Sequence, residues 1–392
     1  MEAPVLLALL FACATVNPSL LPTHDLLADD GGEIAPGGPV QLAIVGDMRP
    51  TIGADAAKGR VNTPYTEARI VGDISTYVQR GDVDGVVLLG DLVPYSSTRT
   101  WKHFAQDWSS LLSGSEFPQP GVLRTRTLPV AGNHDRIGDG RLVGFGASFP
   151  GVGQEIGFGR VASWQASDVV TKKRRWRLLL LDSDKSALGT RWEEQLRWLD
   201  GALEGEYDGV LVFMHHPRYT LARGQTADWN KAPSELLQHV EDGTKLGMIK
   251  AVFAGHAHTT EVFLPSGPLG EIYVTAGGGG SPADSLPRRG VVEGKDLALA
   301  PSYDLALQKA VDRWSEAGKL PQALVDKAQG SGAWQDFIGE YDVKGMPVQG
   351  WMQLELDGPD LALTFRMIGP DGALADAWAA TWDPKSGWMT GR

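Results

Sequence analysis

The sequence predicts an α/β fold, and three observations carry that expectation. From residue 41 onward, short apolar runs of strand length alternate with stretches of helical spacing, the pattern of a sheet whose strands are linked by covering helices. Five of the apolar runs end in a cluster of Asp, Asn or His. The 392-residue chain is 42% hydrophobic and 21% charged, which supplies a sizeable core and argues against a disordered chain.

The first strand is expected over 42–45 and ends in Gly46-Asp47. A helix follows over 65–80, where Ile70, Ile74, Tyr77 and Val78 recur at helical spacing. A strand over 85–89 ends in Gly90-Asp91, and a helix is expected over 101–112. The strand over 128–131 ends in Gly132-Asn133-His134-Asp135. Strands over 161–166 and 176–182 come next, with the basic run Lys172 to Arg175 read as a hairpin tip. The helix over 191–203 sets Leu196, Leu199 and Leu203 on one face. A strand over 209–214 ends in His215-His216-Pro217, and one over 249–254 ends in Gly255-His256-Ala257-His258. Strands over 262–264 and 272–275 complete the series. The run Gly277 to Gly280 lacks the lysine of a phosphate-cradling loop and reads as a turn that lets backbone pass close to the site. The tail differs. It is expected to be helical over 303–329, broken by Gly318 and Pro321, and then to alternate as an antiparallel meander over 351–356, 361–367 and 375–382.

Composition narrows the function. Lys plus Arg is 36 against 48 Asp plus Glu, a net charge of −12. A surface this acidic suits no general nucleic-acid partner, because phosphate backbones need dense positive charge. The single cysteine, Cys13, excludes an internal disulfide and a cysteine-built zinc site, so metal chemistry must use His, Asp, Asn or Glu. Residues 5–14 form an apolar run too short to span a bilayer and suited to a secretory signal. Cys13 lies in Leu10-Phe11-Ala12-Cys13, similar to a bacterial lipobox; a plain leader and a lipidated, membrane-attached Cys13 both stay open. The expected organisation is a leader and tether over 1–40, a main domain over 41–300, and C-terminal helices and strands over 301–392 packing on the same domain. Export to the periplasm or a lipid anchor follows from that leader.

The five polar clusters stand where an open α/β sheet binds ligands, outside the carboxyl ends of its strands, and they are expected to meet on one edge. Imidazoles, carboxylates and an amide oxygen suit Zn, Mn or Fe. There are enough ligands for two ions with one carboxylate bridging, an arrangement able to clamp a phosphoryl group. Taken singly, Asp47 and Asp91 would read as helix caps. His24, His103 and His239 join no cluster and read as ordinary surface or core residues. Asp73, Asp82 and Asp84 read as solvated turn charges.

The motifs G-D-M-R, G-D-L, G-N-H-D, M-H-H-P and G-H-A-H, in that order and each after an apolar strand, resemble those of the calcineurin-like metallophosphoesterase superfamily. Purple acid phosphatases and many bacterial phosphodiesterases belong to it. Leu181-Asp182-Ser183 followed by Gln195-Leu196-Arg197-Trp198-Leu199 is similar to a strand-then-helix segment of that superfamily. The likeness covers 41–282, and the final meander is similar to its terminal strands. It implies a four-layer α-β-β-α metallophosphoesterase sandwich with a C-terminal antiparallel meander. It also implies a binuclear metal-dependent phosphoric ester hydrolase acting on a small mono- or diester. By the resemblance, Asp47 and His258 hold one Mn, Fe or Zn ion, Asn133, His215 and His256 hold the other, and Asp91 bridges them. His215 is chosen over His216 because the superfamily's ligand lies two residues before the proline; His216 stands behind it, near substrate. A metal-bridging hydroxide attacks phosphorus, and His134 protonates the leaving oxygen while Asp135 orients its ring.

One departure matters. Many superfamily members carry a histidine two residues after the first aspartate; here that residue is Arg49. A guanidinium has five donors and no acceptor, so it cannot ligate a metal. Arg49 either binds a phosphate oxygen or pairs with a nearby carboxylate. Tyr95 falls one residue late for the tyrosine of purple acid phosphatases. The competing expectation is a catalytically impaired binding or scaffold protein on the same fold.

Overall fold

The structure is a computed structural model. It describes residues 38–49, 64–108, 126–149, 163–220, 231–264, 270–281 and 349–390, apart from 173, 358–359 and 370–372, with isolated positions between these stretches. In chain order the strands are β1 (Glu33–Ile34), β2 (Val40–Val45), β3 (Gly85–Leu88), β4 (Arg126–Pro129), β5 (Gln165–Val170), β6 (Arg175–Leu181), β7 (Gly209–Met214) and β8 (Ile249–Ala254). They continue as β9 (Thr260–Phe263), β10 (Ile272–Ala276), β11 (Val291–Val292), β12 (Lys295–Asp296), β13 (Gly350–Asp357), β14 (Asp360–Ile368), β15 (Leu374–Asp383) and β16 (Gly387–Thr390). The helices are α1 (Pro64–Arg80), α2 (Thr98–Asp107), α3 (Val143–Ser148), α4 (Lys185–Leu188), α5 (Arg191–Ala202) and α6 (Lys231–Gly243).

Two mixed sheets form, each of seven strands. One runs β16-β15-β14-β13-β2-β3-β4 and the other β1-β5-β6-β7-β8-β10-β9. β3, β7 and β10 are buried at every position, as strands covered on both faces must be. Strand periodicity then divides the residues of the first sheet's β2 and β3 between two cores. In β2, Leu42 and Ile44 join a core shared with Leu178, Leu180, Val212 and Phe253 of the other sheet. Ala43 and Val45 face the opposite way, with Ile70 and Ile74 of α1 and Trp101 of α2. On the second sheet, both faces of β6 and β7 join one continuous cluster, which takes in Leu199 of α5 and Leu236, Leu237 and Val240 of α6. The layers are therefore helices, sheet, sheet, helices. The C-terminal meander completes the first sheet, with β13 antiparallel to β2 and Met352 opposite Ile44.

Several expectations shift. The strand expected over 161–166 is observed as β5, Gln165–Val170; its alternation of half-buried and buried residues gave no continuous apolar run. The hairpin tip stands, with the Thr171 N–H donating to Arg174 O at 2.9 Å. Helix α6 and strand β16 were not expected. Asp73 is not a solvated charge: it accepts from Arg366 Nε at 2.8 Å and Trp351 Nε1 at 2.9 Å, tying α1 to the meander. The expected leader with Cys13, His24, and most of the stretch 303–329 lie outside the described residues. Among the described residues no helix is long and apolar enough to cross a membrane.

Candidate metal centre

The five polar clusters do converge, but not on one edge of one sheet. Asp47, Asp91 and Asn133-His134 follow β2, β3 and β4 of the first sheet, whereas His215-His216 and His256-x-His258 follow β7 and β8 of the second. The carboxyl ends of parallel strands from both sheets face one site. The Asp47 N–H donates to Gly90 O at 3.0 Å, the Gly255 N–H to His215 O at 2.9 Å and the Gly46 N–H to Ala276 O at 2.8 Å.

At three of these strand ends the backbone turns sharply. Asp47, Asp91 and His256 have φ of 58°, 52° and 67°, a left-handed conformation uncommon outside glycine and held only where the surroundings enforce it. The preceding glycines permit the crowding. A Cβ on Gly90 would lie 2.7 Å from His215 Nδ1, and one on Gly255 would lie 2.7 Å from Asp47 Oδ2. The expectation that the glycine run brings backbone close also holds: a Cβ on Gly277 would lie 2.8 Å from Asp47 Oδ2.

Asn133, His215 and His256 bring three donor atoms together. Asn133 Oδ1 lies 3.0 Å from His215 Nε2 and 3.1 Å from His256 Nδ1, and the two nitrogens are 3.2 Å apart. Ligands at about 2.1 Å from an ion and at right angles to each other stand about 3.0 Å apart, so the triangle fits the face of one coordination sphere. The His215 ring is oriented from behind, with Nδ1 donating to Leu89 O at 2.8 Å; its Nε2 lone pair therefore points inward. Burial depresses the His215 and His256 pKa values, which favours the neutral, ligating form. Asp91 Oδ1 approaches His215 Nε2 at 3.3 Å.

Asp47, Asp91 and His258 form a second buried set, each offering a ligand atom within 4.8 Å of the others. His258 Nε2 is 3.6 Å from Asp47 Oδ1, and Asp47 Oδ2 accepts the His256 N–H at 2.6 Å. Burial alone would raise the Asp91 pKa, but the surrounding His215, His134, Arg49 and His256 hold its carboxyl below the usual range. Asp91 thus stands between the two sets. Arg49, also buried, has one terminal nitrogen 3.2 Å from His258 Nε2 and its Nε 3.6 Å from Asp91 Oδ2.

The His134 ring is partly open, with a side chain 21% exposed. Its Nδ1 donates to Pro94 O at 2.8 Å, its backbone N–H donates to Asp91 Oδ1 at 2.8 Å, and its Nε2 lies 3.8 Å from Asp91 Oδ2. The expectation that Asp135 orients this ring is corrected: the Pro94 carbonyl does so. Asp135 is fully buried and accepts four backbone N–H groups instead. Those of Gly132 and Asp91 reach Oδ2 at 2.8 and 3.1 Å, and those of Leu92 and Val93 reach Oδ1 at 2.9 and 3.2 Å. It fastens the loop after β3 to the loop after β4. Burial and the Asp91 carboxylate push its pKa up to about 8 against the pull of those N–H groups.

His216 is not set apart from the centre: His215, His216 and His256 each offer a ring nitrogen within 4.8 Å of the others. Ser183 Oγ lies 2.9 Å from His216 Nδ1 and accepts the His216 N–H at 2.8 Å. Its ring centre is 4.5 Å from that of His256, and burial pushes its pKa down to about 3. Sequence reading missed Arg136, a buried side chain paired with Asp182, which also accepts from Ser163. The signal was available: an arginine directly after the Asn133-His134-Asp135 cluster and a carboxylate at the end of an apolar strand.

A family model described as calcineurin-like phosphoesterase matches residues 41–260. No curated protein matches the chain. Among solved structures, the chain is similar to GAP50, the anchor in the inner membrane complex of Plasmodium, at 12% identity and a TM-score of 0.48, covering 84% of this chain and 85% of that one. It is similar to a dimetal phosphatase from Danio rerio at 14% identity and a TM-score of 0.48, covering 84% of this chain and 96% of that one. A purple acid phosphatase from yellow lupin is matched at 16% identity and a TM-score of 0.45, covering 88% of this chain and 54% of that one.

Proposed function

The chain belongs to the calcineurin-like phosphoesterase family, and from that premise we propose that it is a metal-dependent hydrolase of a small phosphate mono- or diester. The observation that carries the reading is the meeting of Asn133 Oδ1, His215 Nε2 and His256 Nδ1 within 3.2 Å of one another. Three lone-pair atoms from three strand ends have no packing reason to be so close, and a cation supplies one. Asp91 adds a shared carboxylate, and Asp47 and His258 extend the donors toward a second position. Bound Mn, Fe or Zn ions would supply positive charge for the phosphoryl oxygens and acidify a water as nucleophile.

The chain's own groups do the rest. With Nδ1–H committed to Pro94 O, His134 can carry its transferable proton only on Nε2. From there it would pass to the leaving alkoxide, help worth about 10²–10⁴-fold. Arg49 contributes a guanidinium whose fork suits a phosphoryl oxygen pair, and His216 backs the His256 ring. The proposal includes export of the protein, with lipid on Cys13 read from the mass of the mature N-terminus.

The test is hydrolysis of p-nitrophenyl phosphate and its bis-ester by the full chain with added Mn, Zn or Fe. Asp91→Asn and His256→Ala should each lower turnover by about 10²-fold or more. Unchanged turnover in both would refute the site. A chain that binds no ion and turns over nothing under any added metal would instead favour a scaffold role.

A further inference from the structure

We infer that Arg49 makes the two metal positions unequal: its guanidinium occupies the Asp47–Asp91–His258 set, so one ion binds tightly at Asn133, His215 and His256 while a second must displace that side chain. The inference rests on the metal-dependent reading above.

The geometry is specific to one set. The Arg49 terminal nitrogen lies 3.2 Å from His258 Nε2, the ring's ligating atom, and Arg49 Nε lies 3.6 Å from Asp91 Oδ2. An ion placed on His258 Nε2 and Asp91 Oδ2 would claim the same two atoms. The guanidinium offers only donors, so it cannot join the coordination sphere. It is also buried, where water screens like charges poorly and repulsion between a divalent ion and a fixed cation is strong. At the other set Asn133, His215 and His256 face one another, and Asp91 presents its other oxygen, Oδ1, to His215. Asp91 is therefore divided, with Oδ1 toward a metal position and Oδ2 toward a guanidinium.

Displacement needs somewhere for the guanidinium to go. A phosphoryl group offers a bidentate acceptor, so phosphate that draws Arg49 off His258 should open the second position. Linkage then requires the two to help each other: phosphate tightens the second ion, and the second ion tightens phosphate.

The experiment is Mn²⁺ binding to the full chain, by metal analysis after dialysis and by calorimetric titration, with and without inorganic phosphate. Native protein should retain one ion and take the second at least about tenfold more weakly. Arg49→His and Arg49→Ala should both retain two, and spin-coupled manganese pairs should be visible by electron paramagnetic resonance without phosphate. Thermal denaturation checks that both variants fold, and the histidine variant restores a ligand where the alanine variant only removes the charge. Native protein retaining two ions of equal affinity would overturn the inference, as would variants that gain no second ion. Native protein that binds no Mn²⁺, or a His256→Ala chain that binds as much as native, overturns the metal-dependent reading itself.

Discussion

Asp135→Ala separates a structural carboxylate from a catalytic one. In the folded chain its two oxygens accept four backbone N–H groups, at 2.8–3.2 Å, from Gly132, Asp91, Leu92 and Val93. Alanine leaves all four donors buried. Each buried unsatisfied group costs about 1–3 kcal/mol, and water entering the vacated space recovers part of that. A net loss of about 3–5 kcal/mol is expected, near the upper end for single substitutions. At about 2–4 °C per kcal/mol for a chain of this scale, the melting temperature should fall by roughly 6–20 °C. Asp135→Asn can keep the Oδ1 contacts to Leu92 and Val93 while losing those of Oδ2, so it should fall between native and alanine. Urea unfolding of the three proteins measures the order. Metal retention should fall with it, because Asp91 and Asn133 sit on the two loops being joined. An alanine variant within about 1 kcal/mol of native would show that the loops hold without the carboxylate. Full stability with loss of turnover would return Asp135 to a chemical role.

Three further outcomes follow from particular contacts. Glu67 is buried against Trp108 Nε1, which donates to it at 3.1 Å, and burial pushes its pKa up to about 8. The folded state therefore keeps a proton that the unfolded chain releases near its ordinary value of 4.5. Stability should fall as pH rises between those values, by up to about 1.4 kcal/mol per unit. Glu67→Gln should flatten that slope, matching native near pH 5 and exceeding it at pH 8 in urea melts; parallel slopes would exonerate Glu67. Arg136→Ala strands the buried Asp182 carboxylate and should destabilise by about 3–5 kcal/mol, with denaturant midpoints as the measure and a loss under about 1 kcal/mol counting against it. His134→Ala should slow alkyl phosphates far more than nitrophenyl ones, because only the alkoxide needs a proton to leave; equal losses would remove it from that role.

The candidate ligands were legible because each is written twice, as a residue type and as a place after an apolar strand. Asp47, Asp91, Asn133, His215, His256 and His258 all share that address, and the fold brings their ends together. Their division between two sheets was not legible. β2, β3, β7 and β8 are alike in apolar content, and strand order is set by which faces pack rather than by any one strand's residues. Asp135 misled for a local reason. It is adjacent to His134 in sequence, but both lie in a 3-10 turn, His134–Arg136, where successive side chains point about 120° apart. The ring thus met the Pro94 carbonyl while the carboxylate turned inward. Helix α6 carries a weak signal in the sequence because Pro233 sits in its first turn and the rest of its buried face is only Leu236, Leu237 and Val240.

The pairing of β2 with β13 bears on how the protein is made. Ala43 and Gln353 lie side by side in the finished sheet, yet some three hundred residues are synthesised between them. Until the late strand arrives, the segment that delivers Asp47 has hydrogen-bonding groups open along one flank, a template for the wrong neighbour. Such distant pairings form slowly. A chain stalled or cut before β13 would keep every candidate ligand and still leave that flank uncovered, so its first failure should be aggregation rather than loss of chemistry.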